Sequence, residues 1–185
     1  ATTSFTQTNG GLMKNGSWLF LIVLCIAISG CGNRAVKIGV DFDEDRAKQL
    51  LQPGKNSIHG SALIRQAGGG VVTCAGNIVI LMPVTDYAKE WARTVYGSPE
   101  GGYRPTSGRG VVFPESQKFF EATRAANCDA QGFFQFSEVA DGPFYVFTKI
   151  NWTVYGQFGP VVQGGSIMKP VSLNGSRKLE IVLSP

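Results

Sequence analysis

Asp129-Ala130-Gln131-Gly132-Phe133-Phe134-Gln135-Phe136, followed after two residues by Val139-Ala140-Asp141-Gly142-Pro143-Phe144-Tyr145-Val146, is the stretch that decides the fold. Side chains two apart in an extended chain share a face, so Phe134 and Phe136 point together. Gly132 supplies turn geometry before the aromatic run, and Gly142-Pro143 reads as a hairpin turn before a second aromatic strand. The stretch is β structure bounded by glycines.

Working outward, the chain from Ser57 onward consists of short β-branched and aromatic runs separated by Gly, Pro and Asn, the texture of an antiparallel β-sandwich rather than of βαβ units. Strands are expected near 57–66, 70–74, 77–82, 131–137, 143–154, 160–168 and 177–183, about seven in all. Gly68-Gly69-Gly70 is followed by Val71-Val72-Thr73 rather than by a phosphate-loop lysine, so it reads as a turn. A helical insertion, 84–127, interrupts the strands. Val84, Tyr87, Trp91 and Val95 recur at helical spacing after a cap at Thr85 or Asp86. The glycine-rich stretch 97–110 reads as a mobile loop, and 114–126 as a second helix packed by Phe119 and Phe120.

The glycine before Phe-x-Phe and the Gly-Pro before an aromatic strand resemble the carboxypeptidase regulatory-like family. Ile58-His59-Gly60-Ser61-Ala62 is similar to that family's opening strand, and Gly76-Asn77-Ile78-Val79-Ile80-Leu81-Met82-Pro83 to the strand after it. The resemblance covers most of 57–184 and implies a single transthyretin-like or Ig-like β-sandwich over 57–185. The insertion departs from the simplest members of the family.

At the other end, Lys14 precedes an apolar run over 18–28 that closes on Ile28-Ser29-Gly30-Cys31. A spanning helix needs roughly 20 apolar residues, and this run is about half that length. The segment resembles a bacterial lipoprotein signal peptide, which implies cleavage before Cys31 and covalent diacylglycerol and N-acyl lipid on that cysteine. Residues 13–30 are then the leader. Residues 1–12 read as translated upstream sequence before Met13, and 31–56 as a lipidated tether with a short helix near 43–51. Gly32, where an aspartate would favour inner-membrane retention, implies the periplasmic face of the outer membrane or the cell surface.

Composition agrees with export. The formal net charge is +4, without a basic run or a stripe of Lys and Arg, so nucleic acid is not an expected partner. With Cys25 in the leader and Cys31 lipidated, Cys74 and Cys128 remain as a pair, which an oxidising compartment would bond. That bridge would staple the base of the insertion.

The chemistry that is missing is equally informative. There is one histidine, His59, so neither a two-histidine zinc site nor a His-Glu-x-x-His helix is available. His59 reads as a structural or surface residue. No Gly-x-Ser-x-Gly elbow is present, and Ser57 and Ser61 merely share the face of His59. Asp41, Asp43 and Asp45 alternate as in a calcium loop, but Arg46 and Gln52 stand where the loop needs glycine and a closing glutamate, so they read as helix N-terminal acids. No metal, catalytic residue or cofactor other than the lipid is expected.

The expectation is a non-catalytic envelope lipoprotein, anchored in the membrane, whose sandwich contacts an envelope protein or a polysaccharide. Trp91, Tyr96, Tyr103, Arg104 and Arg109 of the insertion are the candidate contact surface, because long loops beside a rigid scaffold commonly carry function. The competing reading packs these aromatics onto the sandwich. A carbohydrate-binding module, with Trp152, Tyr145 or Tyr155 stacked on sugar rings, is the alternative. A hydrolase with an unrecognised site is the third.

Overall fold

The computed structural model describes residues 38–107 and 117–185. The expected leader, the lipidation site Cys31 and the candidate contact residue Arg109 lie outside the described residues. Among the described residues nine strands and three helices follow in chain order. They are α1 (Glu44–Leu51), β1 (Asn56–Arg65), β2 (Val71–Thr73), β3 (Ile78–Pro83), α2 (Asp86–Tyr96), β4 (Gly102–Pro105), α3 (Gln117–Glu121), β5 (Arg124–Asn127), β6 (Phe133–Val139), β7 (Gly142–Gly156), β8 (Gly159–Leu173) and β9 (Lys178–Leu183). The chain is mostly β, and two sheets face each other as the expected sandwich.

The first sheet has β1 at its centre. β6 and β2 pair with it antiparallel, and β9 runs parallel to it. Parallel pairing is open to β9 because it follows β8 from the opposite sheet, so no tight hairpin dictates its direction. The second sheet, in the order β4-β8-β7-β3-β5, is antiparallel throughout. Its spine is a hairpin in which β7 and β8 pair without a break from Gly142↔Leu173 to Gly156↔Gly159.

Alternation explains how β7 serves two cores. Phe144, Val146 and Ile150 point inward, where they meet Ile58 and Ala62 of β1 and Phe134 and Phe136 of β6. Tyr145 and Phe147, one residue out of phase, point to the opposite face. There Tyr87, Trp91 and Val95 of α2 and Phe119 of α3 cover them. The result is a third, helical layer on the outside of the second sheet. A strand covered on both faces must be apolar at nearly every position, as Phe144-Tyr145-Val146-Phe147 is.

Two expectations need correction. Val139-Ala140-Asp141-Gly142 is not a hairpin turn, because β6 belongs to the first sheet and β7 to the second. It is a corner between sheets, pinned by the buried Asn56. The Asn56 amide donates to Val139 O and Asp141 Oδ1, both at 2.9 Å, while its Oδ1 accepts from Arg177 N at 2.8 Å. Gly142 adopts φ +140°, and a Cβ there would lie 2.4 Å from Leu50 Cδ2. Second, the insertion contains β4 within the expected loop and β5 within the expected helix. The long hairpin and β3 offer edges with unpaired backbone, and a short segment satisfies its own amides by adding there whatever its intrinsic preference. Pro105 is tolerated because β4 is an edge strand.

Candidate functional site

The helical layer covers only part of the outer face of the second sheet. α2 begins at Thr85, whose Oγ1 accepts from Ala88 N at 3.2 Å, and ends at Gly97 in the left-handed region, φ +79°. These caps place Trp91, Val95 and Tyr96 against the sheet. Trp91 is held by ring contacts to Phe119 at 5.7 Å, Phe147 at 5.8 Å and Tyr96 at 6.2 Å. Beside this aromatic layer, among the described residues, a groove of about 530 Å³ opens over Ile78, Ile80 and Phe147, walled by Val95 and Phe120. Arg104, Thr106, Lys149 and Ser166 form its polar margin. Among the described residues the groove is lined by apolar side chains, with Arg104 and Lys149 at its margin, and by neither carboxylate nor imidazole.

The candidate contact residues separate on inspection. Trp91 is 2% exposed and forms part of the outer core, as the packing alternative holds, while its edge reaches the groove. Tyr96 also lines the groove; burial raises its pKa, partly opposed by a hydrogen bond with Ser166 and the nearby Arg104 charge. Arg104 lies on the same side. Its neighbour Tyr103 points the other way, packs on the inner core and donates from its hydroxyl to Gly164 O at 2.9 Å. Adjacent strand positions cannot share a face, so the four described residues do not make one surface.

The three aromatics proposed for sugar stacking also part company. Tyr145 is buried, with its hydroxyl donating to Pro99 O. Burial, and then the charge of Glu100, push its pKa up to about 12. Trp152 is half-buried against the inner core, and its Nε1 is buried with no acceptor among the described residues. Tyr155, near the tip of the β7–β8 hairpin, is 88% exposed and alone remains available.

Cys74 and Cys128 are bonded, with Cα atoms 5.8 Å apart and a separation of 54 positions in sequence. The bridge joins the end of β2 to the end of β5, at the base of the insertion as expected. Asp43 is the N-cap of α1, its Oδ1 accepting from Arg46 N at 2.9 Å. Among the described residues no three His, Cys, Asp or Glu side chains are grouped to hold a metal.

The surface that the sequence did not single out is the outer face of the first sheet. Gln135 of β6 and Glu180 of β9 lie directly across from His59 on β1, and Phe133 and Val182 lie across from Ser61. The signal was present in the strand alternation around His59, but it needed the neighbours of β1 to become a pattern.

No family model and no curated protein matches the chain. A solved structure from Pseudomonas aeruginosa, a "putative carbohydrate binding protein", superposes with a TM-score of 0.65 over 79% of this chain and 99% of that one, at 22% identity. At that identity the likeness is one of fold.

Proposed function

We propose that this chain is a non-catalytic binding protein of the bacterial envelope, held in the membrane by lipid on Cys31, with the groove beside α2 as its contact for an apolar segment of an envelope protein. The observation that carries the binding role is the groove itself: an apolar floor with Arg104 and Lys149 at its margin and, among the described residues, neither carboxylate nor imidazole in its lining. The leader-like segment that ends at Cys31 supports the anchor. A photo-crosslinking residue at Ile78 or Phe120 of the full chain, in intact cells, tests the groove. A discrete adduct that is lost on competition by Phe147→Asp supports it, and absence of any adduct from both positions refutes it. Cys31→Ala should move the chain out of the membrane fraction and abolish labelling by a fatty acid.

A second reading, carbohydrate binding, is favoured by the fold likeness to the Pseudomonas aeruginosa protein and by the open polar sheet face around His59. It requires no change to the anchor.

A further inference from the structure

We propose that the outer face of the first sheet is a binding platform for a neutral polysaccharide, with Phe133 as the stacking residue; the inference rests on the carbohydrate reading. Phe133 is 57% exposed on a strand whose other aromatics, Phe134 and Phe136, are buried. Val182, 48% exposed in the same row, makes with Phe133 an apolar strip between polar groups, the pattern of a binding surface rather than of one stray side chain.

The surroundings indicate what covers it. Two shallow troughs flank the ridge made by Phe133, Gly60 and His59, and both are lined by those three residues. One trough extends over Gln135 to Asn127 and Asp129, and the other over Ser61 to Glu180 and Val182. Across the strands, Gln135, His59 and Glu180 form one row, and Phe133, Ser61 and Val182 the next. Strands are about 4.8 Å apart and same-face residues about 7 Å apart, so amide, imidazole, hydroxyl and carboxylate groups repeat on the scale of a single sugar ring. A pyranose presents an apolar C–H face to an aromatic ring and equatorial hydroxyls that both donate and accept. Those are the groups this face supplies.

Charge selects among glycans. Among the described residues the troughs are lined by Asp129 and Glu180 but by neither lysine nor arginine. Lys178 pairs with Glu180 at 3.2 Å, and Lys169 Nζ donates to Val182 O at the rim, also at 3.2 Å. A face whose charges are so balanced has no cation cluster to hold phosphate- or uronate-bearing polymers and suits uncharged ones. The troughs lie on both sides of Phe133, so the chain of sugars crosses the strands rather than following them.

The test is binding of the purified full chain, in detergent, to an array of neutral and anionic glycans and to insoluble neutral polysaccharide, alongside Phe133→Ala, His59→Ala/Gln135→Ala and, as the control, Phe158→Ala at an exposed aromatic outside the face. Retention on a neutral glycan, roughly tenfold weaker with Phe133→Ala, weakened by the double variant and unchanged by Phe158→Ala, supports the platform. Phe133 is more than half exposed, so its variant keeps the fold; an unchanged thermal transition checks this. If the wild-type chain binds no glycan, the carbohydrate reading fails and the platform with it. If it binds but the Phe133 and His59/Gln135 variants bind equally well, the reading stands and the platform is wrong. Preference for anionic glycans also overturns it.

Discussion

Reducing the Cys74–Cys128 bond should lower stability by about 4 kcal/mol while leaving the native structure in place. The bridge closes a loop of 54 residues; tying the ends of such a loop removes close to 14 cal/mol/K from the unfolded chain, which at room temperature is about 4 kcal/mol. The folded side of the balance should barely move. Cys74 is fully buried and Cys128 nearly so, and both backbones are already held: Cys74 N donates to Ala62 O and Cys128 N to Asn77 O, each at 2.9 Å. A reduced Cys74 thiol finds an acceptor in Gly132 O, 3.3 Å from its sulfur. The effect therefore acts through the unfolded state. Urea unfolding followed by tryptophan fluorescence, with and without reductant, measures it. The midpoint should fall and the slope m should rise, because an unlinked chain exposes more surface. A loss under 1 kcal/mol, or a changed native fluorescence spectrum before unfolding, refutes the argument.

Other outcomes follow from packing and charge. Trp91→Ala removes a core side chain that is 2% exposed and should cost about 3–5 kcal/mol by chemical denaturation, whereas Tyr155→Ala at the hairpin tip should change stability by less than about 0.5 kcal/mol. Tyr145, with its pKa raised to about 12, contributes stability that is complete below pH 10 and is lost as pH rises toward 12. Tyr145→Phe should flatten the alkaline limb by up to about 1.4 kcal/mol per pH unit, and an identical limb would contradict the burial of that hydroxyl. Glu44 is held at about 2, chiefly by Lys118 and then by Lys48, so its contribution is present above the ordinary value of 4.5 and fades as pH falls toward 2. Glu44→Gln should remove that acid dependence and, because the pair is exposed, 1 M salt should mimic it. Gly54→Ala places a Cβ 2.2 Å from Val139 O and should destabilise the corner next to Asn56, read as a lower thermal midpoint.

The strands legible in the sequence are those whose faces differ. β1, β3 and β6 declare themselves by alternation or by bounded aromatic runs, and α2 by Tyr87, Trp91 and Val95 with a cap at Thr85. β4 and β5 were hidden because Gly-Tyr-Arg-Pro and Arg-Ala-Ala-Asn carry no period of their own. Gly142-Pro143 signals a turn without saying whether the next strand stays in the sheet. The same ambiguity affected the site, where Trp91 as an exposed contact and Trp91 as core have one helical spacing between them.

By itself the sequence determined the class of the fold, the cysteines available for a bond and the scarcity of histidine, because periodicity and counting are local properties of the chain. The tertiary structure decided which strand lies beside which. It made Phe133, His59, Gln135 and Glu180 into one surface and separated Tyr103 from Arg104. Surfaces are assembled from residues distant in the chain, and only the pairing of β1 with β6 and β9 brings these four onto the same face.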